Sequence, residues 1–357
     1  MKKLYFLTTL AVLGLATIKA NAQSNDDDFS QLIKSSPGDV TKLFTAYGMP
    51  LFRGFGVGLN SGWNNTAKTK KFLHFDLRIS AAVAQAPTSD KTFDVTKIGL
   101  SSNLTPANPA NVIAPTFAGD KDAATPVMRI NDANGNQINT FSLPKGVIQY
   151  VPAPNIQVTI GLPKNTDITI RSTPTVKISD DAGSVGVFGF GIKHNIIQDF
   201  AKKGTEKPFD LAVAVNYNRI KYTKTLDVKP DAGAAPAPGT TAADFSTQKI
   251  DASFGGFNVQ AIISKKLLFF TPFAAVGFQT SKTNLDVVGN YPIQSTVPGQ
   301  GSFYTVVKDP VHINENSLNG LRADVGFQLN LAILRIYASV SQGSGYTSGN
   351  AGIGLGF

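Results

Sequence analysis

Residues 321–331 read LRADVGFQLNL. Leu321, Ala323, Val325, Phe327, Leu329 and Leu331 share one parity, and Arg322, Asp324, Gln328 and Asn330 share the other. Successive side chains of a β-strand point to opposite faces, so this stretch reads as a strand with one apolar and one polar face. Two kinds of fold use such strands. A soluble sandwich turns the apolar face onto a second sheet, whereas a membrane barrel turns it to lipid and keeps a polar lumen. Length separates them: ordinary strands average about 5–6 residues, and a strand that crosses a bilayer needs about 9–11.

The same long alternation recurs in LHFDLRISAAV (73–83), FDLAVAVNY (209–217) and LRIYASVS (334–341). Ten segments carry it clearly: 71–84, 155–162, 167–177, 184–193, 208–222, 248–263, 267–281, 319–331, 333–342 and 350–357. Segments 92–100, 138–150 and 302–310 carry it weakly, and either add strands or form hairpins in outer loops. Barrels of this kind have an even strand number, so ten to fourteen are expected. The connections suit a barrel: tight at Ser264-Lys265-Lys266 and near Ala332, long at 223–247 and 282–318. Short turns belong on the periplasmic side and long loops outside. In IDASFGGFNVQAII (250–263) the apolar set passes from Ile250, Ala252 and Phe254 to Phe257, Val259, Ala261 and Ile263, which predicts a β-bulge or kink at Gly255-Gly256.

The closing stretch AGIGLGF (351–357) also alternates and finishes on Phe357. Pairing the last strand with the first would close the barrel and remove its open edge. A final strand of this form resembles the terminal signal of outer-membrane barrels, which implies their assembly machinery as a partner. At the other end, MKKLYFLTTLAVLGLATIKANAQ has paired lysines, a short apolar run and Ala20-Asn21-Ala22. That is the layout of a secretory signal peptide spanning 1–22, and it implies export. Residues 23–66 then form a separate segment and 67–357 the barrel.

Charged residues make up 16% of the chain, against about 25% in ordinary soluble domains. No apolar run is long enough for a membrane helix. The net charge of +9 includes three lysines of the signal peptide, and no basic stripe of the kind nucleic acid requires is present. With no cysteine, disulfides are excluded despite export.

Residues 26–66 have a different pattern. Asp26 to Asp28 suit a helix start, with Phe29, Leu32 and Ile33 at helical spacing; Pro37 and Gly38 break it. Asp39, Val40, Leu43, Phe44 and Tyr47 predict a second short helix that Pro50 ends, followed by the irregular, glycine-rich GFGVGLNSGW. The segment is too apolar for water and too irregular for lipid. It is expected either as a plug inside the barrel, with Phe44, Tyr47, Phe52, Phe55 and Trp63 lining a ligand site, or as a periplasmic cap with those aromatics as plain core.

The strings LFTAYGMPLFRGFGVGLNSGWNNTAK, FDLRIS, IGLPKNTDITIRSTPTVKI and FGFGIKHNIIQDF resemble an uncharacterised family of outer-membrane β-barrel proteins of Bacteroidetes-type bacteria. More remotely, a hatch ahead of a barrel is similar in architecture to the long-chain fatty-acid transporters of outer membranes, with no shared motif and therefore no residue to carry over.

Catalytic signals are sparse. His74, His194 and His312 lack metal spacing, and no local trio of nucleophile, base and orienting group occurs. His74 is expected in the lumen beside Asp76 and Arg78, and His194 ahead of a short helix. GFGVGLN and FGFGIKHN lack the context of a phosphate loop, so their glycines read as strand glycines. NDANGNQ (131–137) reads as a hairpin turn at Asn134-Gly135. Arg78, Arg171, Arg219, Arg322 and Arg335 form either a basic ladder for anionic solutes or ion pairs with Asp76, Asp167, Asp251 and Asp324; pairing is favoured because a polar lumen must balance its charge.

These readings predict an all-β, antiparallel transmembrane β-barrel with a short N-terminal helical plug-like segment, placed in the outer membrane. Expected partners are outer-membrane lipid and a small hydrophobic ligand, with Arg78 added to the aromatic site. No metal, cofactor, nucleic acid or enzymatic activity is expected. Passive uptake or binding of that ligand is the leading role. A structural or adhesion barrel acting through its outer loops is the alternative.

Overall fold

The computed structural model describes residues 37–357 apart from 133, 180–182, 201–206, 231, 242 and 298–300. The predicted helix start at Asp26 to Ile33 lies outside these residues. Ten antiparallel strands form a closed barrel in which sequence neighbours pair throughout. They are β1 (Phe75–Gln85), β2 (Tyr150–Leu162), β3 (Thr166–Ser179), β4 (Gly183–Asn195), β5 (Asp210–Thr225), β6 (Lys249–Ser264), β7 (Phe270–Val288), β8 (Val311–Leu331), β9 (Leu334–Gly343) and β10 (Tyr346–Gly356). β10 closes on β1 from Asp76↔Gly356 to Gln85↔Thr347, and the Phe75 and Phe357 rings lie 5.2 Å apart at the seam.

Outward residues are apolar and stay uncovered: Leu321 is 77% exposed and Val276 63%. Inward residues of the middle strands are polar and sealed, as with Asn218, Asn258 and Gln279. An apolar belt of that extent on a closed barrel suits lipid, not water. Among the described residues no helix is long and apolar enough to cross a membrane, and the crossing elements are strands.

One end of the barrel, the turn end, has tight connections, among them Pro163 to Asn165 and Ala332 with its positive φ of 54°. The other, the loop end, holds the long connections. The weak segments of the sequence fall there as small sheets, 92–94 with 113–115, 104–106 with 127–131 and 137–142, and 290–297 with 301–308. Asn134-Gly135 makes the expected hairpin turn, with Gly135 at φ 85°. Much of the expected loop 282–318 is strand instead, because β7 and β8 stay paired up to Val287↔Val311.

The segment before the barrel departs from expectation. It is one helix, α1, from Pro37 to Asn60, running through Pro50 and the glycine-rich stretch. It starts among the loop-end sheets, where Val40 and Leu43 pack in one buried cluster with Leu104, Met128, Phe141 and Ile313. It then runs down inside the barrel, and residues 61–74 leave at the turn end, where Leu73 bonds Gly161. Two facts explain why proline and glycine do not break it. The barrel encloses the helix, so tertiary packing outweighs intrinsic propensity. The glycines also meet the wall: a Cβ on Gly54 would lie 2.5 Å from Val151, and one on Gly58 2.6 Å from Ala153.

The bulge expected at Gly255-Gly256 is not there. β6 keeps unbroken register with both neighbours, through Asn218↔Gly256 and Gly256↔Ser281. The apolar residues change face because the lumen changes character along its length. Ile250, Ala252 and Phe254 point inward at the loop end, whereas Phe257, Val259 and Ile263 point to lipid nearer the turn end.

Candidate functional site

The lumen has two storeys. In the turn-end storey the C-terminus of α1 is clamped by barrel side chains. A helix leaves its last four carbonyls without intrahelical partners, and its C-terminal end carries partial negative charge. Arg171 of β3 donates to the carbonyls of Leu59 (2.9 Å) and Ser61 (2.8 Å), and to Gln157 Oε1 (3.0 Å). Asn218 donates to Leu59 (2.8 Å), Asn258 to Asn60 (2.8 Å) and Arg78 to Gly62 (3.1 Å). Arg322 donates to Val57 (3.3 Å) and to Asp324 Oδ1 (2.7 Å). Trp63 lies flat under the Arg171 guanidinium at 3.8 Å. Gly189 and Gly191 of FGFGIKHN make its space, since a Cβ there would come within 3.0 and 3.1 Å of the indole. These residues are nearly all sealed from solvent and fill the lumen around the end of α1.

The expected ion pairs form in part. Arg322 pairs with Asp324, Arg335 with Asp76 (2.9 Å) and Lys193 with Asp167 (3.1 Å). The bonds found for Arg171 go to backbone carbonyls and amides, not to a carboxylate, because the helix end supplies the acceptors. Arg219 and Asp251 are exposed on the outward parity of β5 and β6, and Arg219 bonds Ser253, so neither lines the lumen. His74 is exposed just before β1, not in the lumen. At the turn end Lys70 sits 3.6 Å from Asp76, and burial lowers its amine to about 7 against the pull of that carboxylate.

The loop-end storey is open and apolar. A cavity of about 1030 Å³ runs along α1, past Phe44, Tyr47, Leu51, Phe52 and Phe55, to Val187, Ile220, Ala252 and Phe254 of the facing strands. The Phe254 ring stands 4.9 Å from Phe55 and 6.1 Å from Phe52. Hydrophobic walls of this size are what a ligand pocket needs. Tyr47 is fixed by its hydroxyl to Lys145 O (2.9 Å) and edge-on to Phe117 (5.9 Å). Of the six residues singled out from the sequence, Phe44, Tyr47, Phe52 and Phe55 are on this wall, while Trp63 and Arg78 lie below it in the polar storey.

The cavity continues through the barrel wall. β2 pairs with β1 from Phe75↔Ile160 to Gln85↔Tyr150, but with β3 only from Gln157↔Arg171 to Leu162↔Thr166. Above that pair the two strands part. Pro152 and Pro154 stand on one side of the opening and Pro174 on the other, next to the register shift between Thr173 and Val176. Proline has no N–H to give a ladder, so these edges cannot zip shut. The lining passes through this gap onto the lipid-facing side at Pro154, Ile156, Ile79, Ile336 and Ile353. The prolines, Ile220, Ala252 and Phe254 were not singled out from the sequence as site residues. The visible signal was the change of apolar face in 250–263.

The histidines lie elsewhere. His194 bonds Thr166 Oγ1 (2.9 Å) and Asp199 (2.7 Å), tying the turn end to the short helix Ile197–Phe200. His312 bonds Asp286 at the loop end. A hydroxyl, an imidazole and a carboxylate thus meet at the turn end, away from the cavity. Among the described residues no cluster of acidic, histidine or cysteine side chains could hold a metal ion.

Over residues 1–357 the chain matches a family described as a family of unknown function, DUF6588. It belongs to that family. No curated protein sequence matches it. Among solved structures it is similar to the outer-membrane protease OmpT of Escherichia coli, 10% identical over 82% of this chain and 100% of that one, with a TM-score of 0.31. It is similar also to neisserial surface protein A (10% identical, 79% and 97% covered, TM-score 0.24). A third likeness is to a FadL homologue of Pseudomonas aeruginosa (11%, 83% and 93%, 0.20). At those scores none bears on what this member of the family binds.

Proposed function

We propose that this member of the DUF6588 family is an outer-membrane barrel that binds a small hydrophobic molecule and exchanges it with the bilayer. The loop end faces outward, as long connections do in such barrels. The observation that supports the reading is the apolar cavity of about 1030 Å³ that opens between β2 and β3 onto the lipid-facing surface. The clamped end of α1 fills the lumen below, so sideways exchange needs no movement of the helix, whereas passage along the barrel axis would.

The test is equilibrium binding of N-phenyl-1-naphthylamine, an uncharged fluorophore, to the refolded protein in lipid nanodiscs. An Ala252→Trp variant fills the cavity from β6. The reading expects saturable binding above that of empty discs, lost in the filled variant. It also expects brominated acyl chains in the disc to quench the bound probe, because cavity and hydrocarbon are continuous. Equal signal from wild type, variant and empty discs would sink the proposal.

A further inference from the structure

The cavity wall also restricts the charge of its ligand. We infer that the site takes uncharged molecules and rejects anionic amphiphiles of the same size; this rests on the hydrophobic-ligand reading above. The wall is built almost wholly from carbon, and its polar members, such as Thr173, Asn155 and Tyr337, are neutral. Lys224 is the one charged side chain among the described lining residues. It stands at the loop-end limit of the cavity, half-buried, and is already engaged in an interaction of its own.

The lumen does contain strong cations within a storey of the cavity, and these must be weighed as headgroup partners. Arg171 is fully buried, with its donors directed at Leu59, Ser61, Gln157 and Asn155. Arg322 is held by Asp324, Ser341 and Val57, and Arg78 by the carbonyl of Gly62 and the Asp76 carboxylate 3.9 Å away. Recruiting any of these for a ligand would take a donor from the end of α1 or from the residues just after it. An anionic headgroup inside the cavity would therefore lose its water with no free counter-charge, which is strongly unfavourable in an apolar surrounding. An uncharged hydrocarbon or aromatic loses little by entering, and gains by leaving water.

Two probes with one skeleton test this. N-phenyl-1-naphthylamine is uncharged, and 8-anilino-1-naphthalenesulfonate adds a permanent anion to the same ring system. Both are titrated into nanodisc-embedded protein, with empty discs subtracted and barrel folding checked by heat-modifiable gel mobility. The expected result is binding of the neutral probe at least tenfold tighter than the sulfonate. Comparable affinities with mutual displacement would overturn the inference and leave the hydrophobic site standing. So would sulfonate binding that Lys224→Met abolishes, since that lysine would then be a headgroup receptor. Absence of saturable binding by either probe removes the hydrophobic site itself, and the inference with it.

Discussion

The turn-end and loop-end storeys of the lumen are made from the same strands wrapped around the same helix, yet one is filled and the other hollow. The difference lies in what the last turn of α1 and the stretch before it offer the wall. Near its C-terminus the helix presents bare carbonyls, and the strands answer with Arg78, Arg171, Arg322, Asn218 and Asn258. Those contacts are directional, and they fix the helix in one position. Between residues 44 and 55 the helix presents Phe44, Leu51, Phe52 and Phe55, and the strands answer with Ile220 and Phe254. Apolar contact is not directional, so a void can persist there without leaving any group unpaired. Rigidity is concentrated in one storey and free volume in the other.

The comparison makes its largest demand on Arg171. Replacing it with methionine takes a donor from the Ser61 carbonyl and from the side-chain oxygens of Gln157 and Asn155 in a sealed setting, while Leu59 keeps Asn218 and Trp63. Each buried acceptor left without its donor costs about 1–3 kcal/mol, so the three together are expected to cost about 3–5 kcal/mol. Urea unfolding in detergent, followed by the emission of Trp63, the chain's single tryptophan, measures the loss. A loss below about 1 kcal/mol would mean that the clamp is ornamental and that the two storeys differ in polarity alone.

Much of the architecture could be read in advance, and the failures cluster at the boundary between the storeys. All ten clear alternations became barrel strands, because period two survives wherever one face meets lipid. The change of face at Phe254 and Phe257 is visible too, but in the sequence alone it predicts a backbone bulge. Alternation reports which side is apolar, and it carries no information on whether the apolar side faces lipid or a cavity. The course of α1 is hidden for a related reason. Pro50 and the glycines of GFGVGLN signal helix breaking in water, and nothing local reveals that a barrel wall will confine them. The gap between β2 and β3 depends on which strands fail to pair, although Pro152, Pro154 and Pro174 were open to view.

Gly58 sharpens the comparison at the boundary. Alanine is the better helix former by about 1 kcal/mol, so on a free helix Gly58→Ala would stabilise. Here the added Cβ would sit 2.6 Å from the Cβ of Ala153, and the clamp just below prevents the helix from sliding away. Overpacking of this sort costs about 1–3 kcal/mol. The variant is therefore expected to unfold at lower urea than wild type, and an increase in midpoint would show that α1 can shift within the barrel. Repeating the substitution in the Arg171→Met background separates the two contributions. If the clamp holds the helix against the wall, the two losses will not add.

The smallest expected effect is at Phe254, and it tests the hollow storey directly. In a close-packed core, Phe→Ala costs about 3–5 kcal/mol, because the lost contacts leave a new void. Phe254 already borders a void: it touches Phe52 and Phe55 on one side and faces open cavity on the other. Phe254→Ala should enlarge that space instead of creating one, at a cost of about 1–2 kcal/mol, below that of Arg171→Met. Binding should respond more than stability, since the same ring is a wall for the ligand. A weaker neutral-probe affinity beside a small shift in urea midpoint fits a storey built to be occupied. A loss as large as that at Arg171, with binding unaffected, would mean that the loop end is ordinary core and that its hollow has no connection with any ligand.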